Sequence, residues 1–391
     1  MSSSRVILHL DLDAFFCAVE EIKDPGLRGK AFAVGGSPSG RGVVTSCSYP
    51  ARKMGVRSAM PAVKALQLCP DLILVSRNHR DYGHYSQLVM DRLRDFTDKV
   101  EQISIDEAFL DITNQGTSPR EIGVSLQAAI LEEIKLPNSI GIASNKLVAK
   151  IATDVGKMAA KSDGPPNAIT IVPPGEERGF LAPLPVDMLW GVGPKTKERL
   201  ALLNIHTIGD LAAYPEIELA NKFGKHGYDL SRRARGIDKR GIITERGVKS
   251  VSNERTFPRD LARKSELLEH INRLAAKVSS RLRKKNLRGK TIQIKVRWAD
   301  FTTLTRQTTL SHSTADKQEI FHTSEQLFGQ VWEPGKLVRL IGIGVSNLDS
   351  ESRQLSLWDP AVQQDRQLDE ALQELREKYG DDVIWRGFSS D

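Results

Sequence analysis

The chain lacks any run of about 18 apolar residues, which excludes a helical membrane span of ordinary length. It also has little cysteine. Cys17, Cys47 and Cys69 are an odd number without metal-ligand spacing, so neither a disulfide framework nor a zinc site is expected, and a reducing cytoplasm suits them. The first apolar stretch, Val6-Ile7-Leu8, is broken at once by His9 and Asp11, so no secretory leader is read there. No internal repeat is visible. What remains is the composition of a globular protein, 40% hydrophobic and 27% charged, and its 391 residues allow about two to four domains.

Charge is distributed unevenly. The total is 56 Lys and Arg against 49 Asp and Glu, but residues 250–349 hold 18 against 10 and residues 350–391 hold 5 against 10. A basic block before an acidic tail points to a polyanion-binding module followed by a segment with another task; a lysine-rich solvated surface is the plainer alternative.

Pattern reading places a buried strand at Val6–Leu12, a helix from Phe15 ended by Asp24-Pro25-Gly26, and a loop at Gly35–Gly40 before a strand at Gly42–Ser46. Residues 49–69 read as helix, turn, helix, and Arg80–Phe96 as a long helix. Val100–Ile105 and Ala108–Ile112 read as a hairpin around Asp106-Glu107, followed by a helix over Ser118–Ile134 and a strand at Ser139–Ala143. This order predicts an α+β chain with a ferredoxin-like sheet and helices on one face. Pro173-Pro174-Gly175 marks a boundary, residues 176–236 look all-helical, and 250–349 read as a separate α/β domain with a helix at Lys264–Lys285 and strands at Thr291–Ala299 and Leu337–Val345. A helix is expected in the tail at Asp369–Tyr379.

Asp11 ends the first strand and Asp106-Glu107 sit at the hairpin, so neighbouring strands would gather three carboxylates, with no balancing Arg or Lys in either motif. Mg²⁺ is the usual remedy for such a cluster, and two ions about 3.5–4 Å apart suit phosphoryl transfer; the alternative is that these strand-end acids simply face water. Nearby, Tyr49 and Arg52 stand three residues apart on one helical face, which suits a polyphosphate.

The segments Asp11-Leu12-Asp13-Ala14-Phe15-Phe16, Ser48-Tyr49-Pro50-Ala51-Arg52-Lys53, Gly55-Val56-Arg57-Ser58-Ala59-Met60-Pro61 and Ser104-Ile105-Asp106-Glu107-Ala108-Phe109-Leu110-Asp111 resemble Y-family translesion DNA polymerases, most closely the DinB type, DNA polymerase IV. The likeness continues through Gly141-Ile142-Ala143-Ser144-Asn145-Lys146 and Lys150-Ile151-Ala152-Thr153-Asp154, and in order it runs to about Asp349. It implies a palm at 1–16 and 77–174, inserted fingers at 17–76, a thumb at 175–236, a linker at 237–249, a little finger at 250–349 and a tail at 350–391. It implies catalytic and metal-binding roles for Asp11, Asp106 and Glu107, the Leu12 carbonyl as a further ligand, and two Mg²⁺ ions. It implies dNTP contacts from Phe15, Ser46, Tyr49, Arg52 and a lysine, and it makes Phe16 the steric gate against a ribose 2′-OH. The family usually reads Lys-Pro-Asn/Asp-Gly where this chain has Lys157-Met158-Ala159-Ala160-Lys161-Ser162-Asp163-Gly164; Lys161 is the expected contact, with Lys157 the other candidate.

Trp190-Gly191-Val192-Gly193-Pro194-Lys195-Thr196 opens a helix with glycine-borne N–H groups, as in a helix-hairpin-helix that grips a DNA phosphate, and an ordinary αα turn would look the same. Six of the ten residues at 281–290 are basic, Arg283 among them, and Lys295 and Arg297 alternate with apolar residues on the next strand, a pattern for duplex backbone contact. Gln354-Leu355-Ser356-Leu357-Trp358 resembles the bacterial sliding-clamp peptide, with Trp in place of Phe.

The combined expectation is a monomeric cytoplasmic enzyme that adds dNTPs to a primer 3′-OH on a DNA template, with low fidelity and without a proofreading exonuclease. A metal-free accessory protein and a nucleotidyl cyclase are the rivals. Intact Asp11, Asp106 and Glu107 oppose the first; the gate segment, the helix-hairpin-helix and the basic domain oppose the second.

Overall fold

A computed structural model describes residues 5–113, 115–160 and 162–350. They divide into two compact units: one up to Gly247 with Thr256–Arg259, and one from Val248 to Arg255 and from Asp260 onward. None of the described helices is long and apolar enough to cross a membrane.

The first unit is organised on a five-stranded sheet. Its strands are β1 (Ile7–Leu12), β5 (Val100–Gln102), β6 (Glu107–Asp111), β7 (Asn138–Ala143) and β8 (Ile169–Ile171), in the order β5-β6-β1-β7-β8. The first four in that order pair antiparallel and give the expected ferredoxin-like arrangement, and β8 adds a parallel edge to β7. Alternation along β1 sends Leu8, Leu10 and Leu12 to one face, where they pack with α1 (Phe15–Lys23), α4 (His79–Phe96) and α5 (Pro119–Ala129). The expectation of helices on one face needs correcting. A further helix, α6 (Lys146–Ala159), lies on the opposite face with Ile7 and Phe109, because its own apolar stripe of Leu147, Val148, Ile151 and Ala152 needs a second core. Gly141 makes that close approach possible, since a Cβ there would stand 2.1 Å from the carbonyl oxygen of Ala149.

Between α1 and α4 the chain builds a small sheet, β2 (Phe32–Gly35), β3 (Val44–Cys47) and β4 (Ile73–Ser76), ordered β3-β2-β4, with α2 (Tyr49–Lys53) and α3 (Ala62–Leu68). The pattern reading found β3 and both helices but not β2 or β4. Ser48 caps α2 by accepting from the N–H of Ala51, and Pro50 follows in the first turn, where its missing N–H costs nothing. After α6 come α7 (Glu177–Leu181), α8 (Pro194–Ala201), α9 (Ile208–Ala213), α10 (Glu216–Phe223) and α11 (Lys225–Ala234), the all-helical segment the sequence predicts.

The second unit is a four-stranded antiparallel sheet ordered β11-β10-β12-β9, from β9 (Ser250–Leu261), β10 (Leu287–Trp298), β11 (Thr303–Thr314) and β12 (Val338–Ser350). The helices α12 (Lys264–Lys284) and α13 (Lys317–Gly329) pack on it. Sequence patterns located α12 and the cores of β10 and β12; β9 and β11 were hidden because their side chains are largely exposed and carry no apolar alternation.

Candidate active site

The register of the first sheet places the acidic residues. Asp11 on β1 pairs directly with Glu107, the first residue of β6, so the two carboxyl groups project from one face of adjacent strands. Asp106 lies in the turn just before β6; its carbonyl accepts from the N–H of Leu12 at 3.0 Å, which ties the two chain segments together. Ser104 shapes that turn by accepting at Oγ from the N–H groups of Asp106 (3.1 Å) and Glu107 (2.9 Å), while its hydroxyl donates to Asp106 Oδ1.

Neither motif supplies a balancing cation, as the sequence has it. The cations come from α6, outside both motifs. Lys150 Nζ donates to both oxygens of Glu107 at 3.0 Å, and Lys157 Nζ reaches Asp11 Oδ1 at 2.5 Å and Asp13 Oδ1 at 3.0 Å. Lys146, one turn earlier, pairs with Glu101 of β5 at 2.8 Å, both side chains being almost wholly buried. Thr153 Oγ1 and His9 Nδ1 share a 2.8 Å hydrogen bond. Positions 146, 150, 153 and 157 form one face of the helix, whose side chains reach residues of β5, β6 and β1. That spacing is legible in the sequence, but the strand residues it meets are not, which is why Lys150, Thr153 and His9 escape a reading of the sequence alone.

Electrostatics follow from this packing. Burial pushes the Asp11 carboxyl up to about 7 against the pull of Lys157. Burial also acts on Glu107, but His9, once protonated in acid, and Lys150 outweigh it and hold that carboxyl down at about 2. Burial drives the His9 imidazole down to about 4, so at neutral pH the ring is uncharged. Its Nε2 stands 3.8 Å from Glu107 Oε2, beyond a hydrogen bond, and has no other partner among the described residues.

A cavity of about 600 Å³ opens beside the carboxylates, lined among others by Asp11, Leu12, Phe15, Phe16, Ser46, Tyr49, Arg52, Asp106 and Lys157. The sequence-predicted residues of Asp11-to-Phe16 and of Ser46-to-Arg52 thus converge on one space. Arg52 lies over the Tyr49 ring at 5.0 Å and donates from Nε to the Cys47 carbonyl, which fixes its stem and leaves the guanidinium's remaining donors toward the cavity. Of the two candidate lysines, Lys157 lines the cavity; Lys161 lies outside the described residues. Glu107 is not among the lining residues, being turned to Lys150.

Among the described residues, no three His, Cys, Asp or Glu side chains converge as a ready metal cage. The carboxylates instead face Lys157, Lys150 and Ser104. The donor chemistry nevertheless suits a hard divalent cation, since Asp11, Asp106, Glu107 and the Leu12 carbonyl offer only oxygen.

Two further predicted sites are not among the residues that line the cavity. Gly191 adopts φ +107°, Gly193 caps α8 and Pro194 begins it, with Gly191, Gly193 and Lys195 exposed and Thr196 half-buried. In the second unit Ile292, Ile294, Val296 and Trp298 are buried, while the alternate Lys295 and Arg297 are half-buried; Lys295 pairs with Glu254 at 2.8 Å and Arg297 donates to Thr303 Oγ1. Arg283 lies 3.9 Å from Asp316. Gln354, Leu355, Leu357 and Trp358, and the expected tail helix, lie outside the described residues.

Residues 10–154 match the impB/mucB/samB family, residues 248–357 match that family's C-terminal domain, and residues 187–238 match the DNA polymerase-iota thumb domain. The chain is 40% identical over 380 residues to a DNA polymerase IV of Dehalococcoides mccartyi, covering 96% of this chain and 95% of that protein. It is 38% identical over 358 residues to a DNA polymerase IV of Streptococcus mutans, covering 90% and 95%. A solved structure, the "Y-family DNA polymerase chimera Dbh-Dpo4(243-245)-Dbh", superposes with a TM-score of 0.78 at 27% identity, over 88% of this chain and 99% of that one. With such likeness along nearly its whole length, the chain belongs to the DNA polymerase IV group of Y-family DNA polymerases.

Proposed function

We propose that this chain is a translesion DNA polymerase that adds dNTPs to a primer 3′-OH under the direction of a DNA template, with low fidelity and without proofreading. One observation supports this above all. Asp11 and Asp106 line the same cavity as Phe16, Tyr49, Arg52 and Lys157, with Glu107 directly opposite Asp11 on the neighbouring strand. Acid groups for phosphoryl transfer and cationic groups for a triphosphate therefore share one space.

In this reading Asp11, Asp106, Glu107 and the Leu12 carbonyl hold two Mg²⁺ ions, which when bound supply Lewis-acid stabilisation of the attacking and leaving oxygens. The chain's own residues do the positioning. Tyr49, Arg52 and Ser46 bind the triphosphate, with Lys157 favoured over Lys161 as the lysine because it already lines the cavity. Lys157 then exchanges its contacts with Asp11 and Asp13 for phosphate oxygens. Phe15 and Phe16 border the sugar, Phe16 as the wall that excludes a 2′-OH. The five-stranded sheet with its helices is the palm, residues 17–76 the fingers, and 175–236 the thumb. Gly191, Gly193, Lys195 and Thr196 grip a backbone phosphate there. The second unit is the little finger, whose Arg283, Lys295 and Arg297 follow the duplex backbone without reading sequence. Gln354, Leu355, Leu357 and Trp358 tether the enzyme to a bacterial sliding clamp, and the enzyme works as a cytoplasmic monomer.

Primer extension with Mg²⁺ on a defined template tests the proposal. Wild type should extend, and Asp106→Ala should fall by about 10³-fold or more, the scale of losing charge stabilisation at the reacting phosphate, while primer-template affinity measured by anisotropy stays within a few-fold. Undiminished extension by Asp106→Ala would remove the assignment.

A further inference from the structure

Behind Phe16 stands a group that the reading above does not use. The Tyr82 ring lies face to face with Phe16, with centroids 4.1 Å apart and planes 13° from parallel. Tyr82 is fully buried, and its hydroxyl donates to Glu20 Oε1 at 2.6 Å. Glu20 is itself buried, one helical turn beyond Phe16 on α1, so the two residues lie on the same face of that helix. A turn rises by about 6 Å, close to the span of a tyrosine from ring to hydroxyl, so one side chain on α4 can cover Phe16 and still reach Glu20.

The anchor is itself held. Lys23 Nζ lies 3.5 Å from Glu20 Oε2 and 2.6 Å from Asp81 Oδ2, joining the end of α1 to the start of α4 beside Tyr82. Phe15 closes the remaining side, with its ring edge-on to Tyr82 at 6.4 Å and 5.4 Å from Phe16. Phe16 therefore has one face against a rigid, hydrogen-bonded ring while lining the cavity. A wall excludes a hydroxyl only if it cannot swing away. Phe16 is on a helix, where more than one rotamer is open to it, and its own burial is only partial.

We propose that Tyr82, anchored by Glu20, is a specificity-positioning residue that holds Phe16 in place and so sets how strongly the enzyme rejects ribonucleotides. This rests on the reading of Phe16 as the gate. The hydroxyl bond matters as much as the stack, because it fixes the ring against sliding along α1. Tyr82 does not touch the nucleotide; its effect is on the choice between sugars, transmitted through Phe16.

The test compares kcat/KM for matched dNTP and rNTP insertion in wild type, Phe16→Ala, Tyr82→Leu, Tyr82→Phe, Glu20→Gln and the double variant Phe16→Ala/Tyr82→Leu. Tyr82→Leu should lower discrimination by about ten-fold, the scale carried by losing part of a pocket wall, with dNTP insertion affected much less. Tyr82→Phe keeps the stacked ring and should lower it by about two- to three-fold, the scale of one lost hydrogen bond, and Glu20→Gln, whose amide oxygen still accepts but without a charge, should lower it by less. The double variant should discriminate no worse than Phe16→Ala, since both changes act on one wall. Unchanged discrimination in folded Tyr82→Leu, or additive losses in the double variant, overturns the proposal. If Tyr82→Leu does not fold, unchanged discrimination in both Tyr82→Phe and Glu20→Gln overturns it instead. Failure of the gate reading is distinguished by Phe16→Ala, which would then discriminate like wild type.

Discussion

The two large sheets of this molecule both carry charged side chains at alternate positions and treat them in opposite ways. In the five-stranded sheet Glu101 and Glu107 point under α6, where Lys146 and Lys150 meet them, and His9 meets Thr153 on the same face. In the four-stranded sheet the alternate residues Lys295 and Arg297 stay in reach of solvent and pair with Glu254 and Thr303, themselves exposed. A buried pair is fixed in place because either partner alone would be a desolvated charge. An exposed pair is readily exchanged for another anion. The first arrangement keeps α6 in register with the sheet; under the proposed function the second suits a surface that slides along a phosphate backbone.

The comparison can be broken most sharply at Glu101. Glu101→Ala leaves the Lys146 ammonium buried without its partner, and unfolding by urea should show a loss of about 3–5 kcal/mol. A loss under about 1 kcal/mol would mean that the pair is no more than a surface contact. Acid sharpens the same contrast. The folded-state value of Glu107 is depressed from 4.5 to about 2, so its contribution to stability is full above about pH 4.5 and is lost as pH falls toward 2. In Lys150→Met that loss between pH 4.5 and 2 should shrink, as followed by unfolding midpoints across this range. The smallest effect is expected in the other sheet. Lys295→Ala should change stability by less than about 1 kcal/mol, yet reduce the salt slope of duplex binding by about 1. An unchanged slope would take Lys295 off the DNA surface.

Much of this was readable without coordinates, and the residues show why. Asp11, Asp106 and Glu107 stood out as acids at strand ends that a split βαβ layout makes neighbours, while the choice between a metal site and a solvent-facing edge came from the family resemblance. Tyr49 and Arg52 followed from helical spacing. What stayed hidden depends on contacts across elements. Nothing near Glu107 in the chain foretells Lys150, 43 residues away, and Tyr82 reads as one more core aromatic until its ring is found on Phe16. The strands β2 and β4 open with unbroken apolar runs, Phe32-Ala33-Val34 and Ile73-Leu74-Val75, and so show no two-residue period.

The linker expected at 237–249 has a consequence for anyone who would cut the gene. Glu101 accepts from the N–H of Ile243 at 2.9 Å and also binds Arg246, while Asp238 accepts from the N–H of Leu147 at the start of α6. These residues serve the first unit as structural parts. A shortened catalytic fragment that stops at Ala234, where the last helix ends, would strip donors from a buried carboxylate and from the helix that carries Lys150 and Lys157. The stop codon belongs after Arg246.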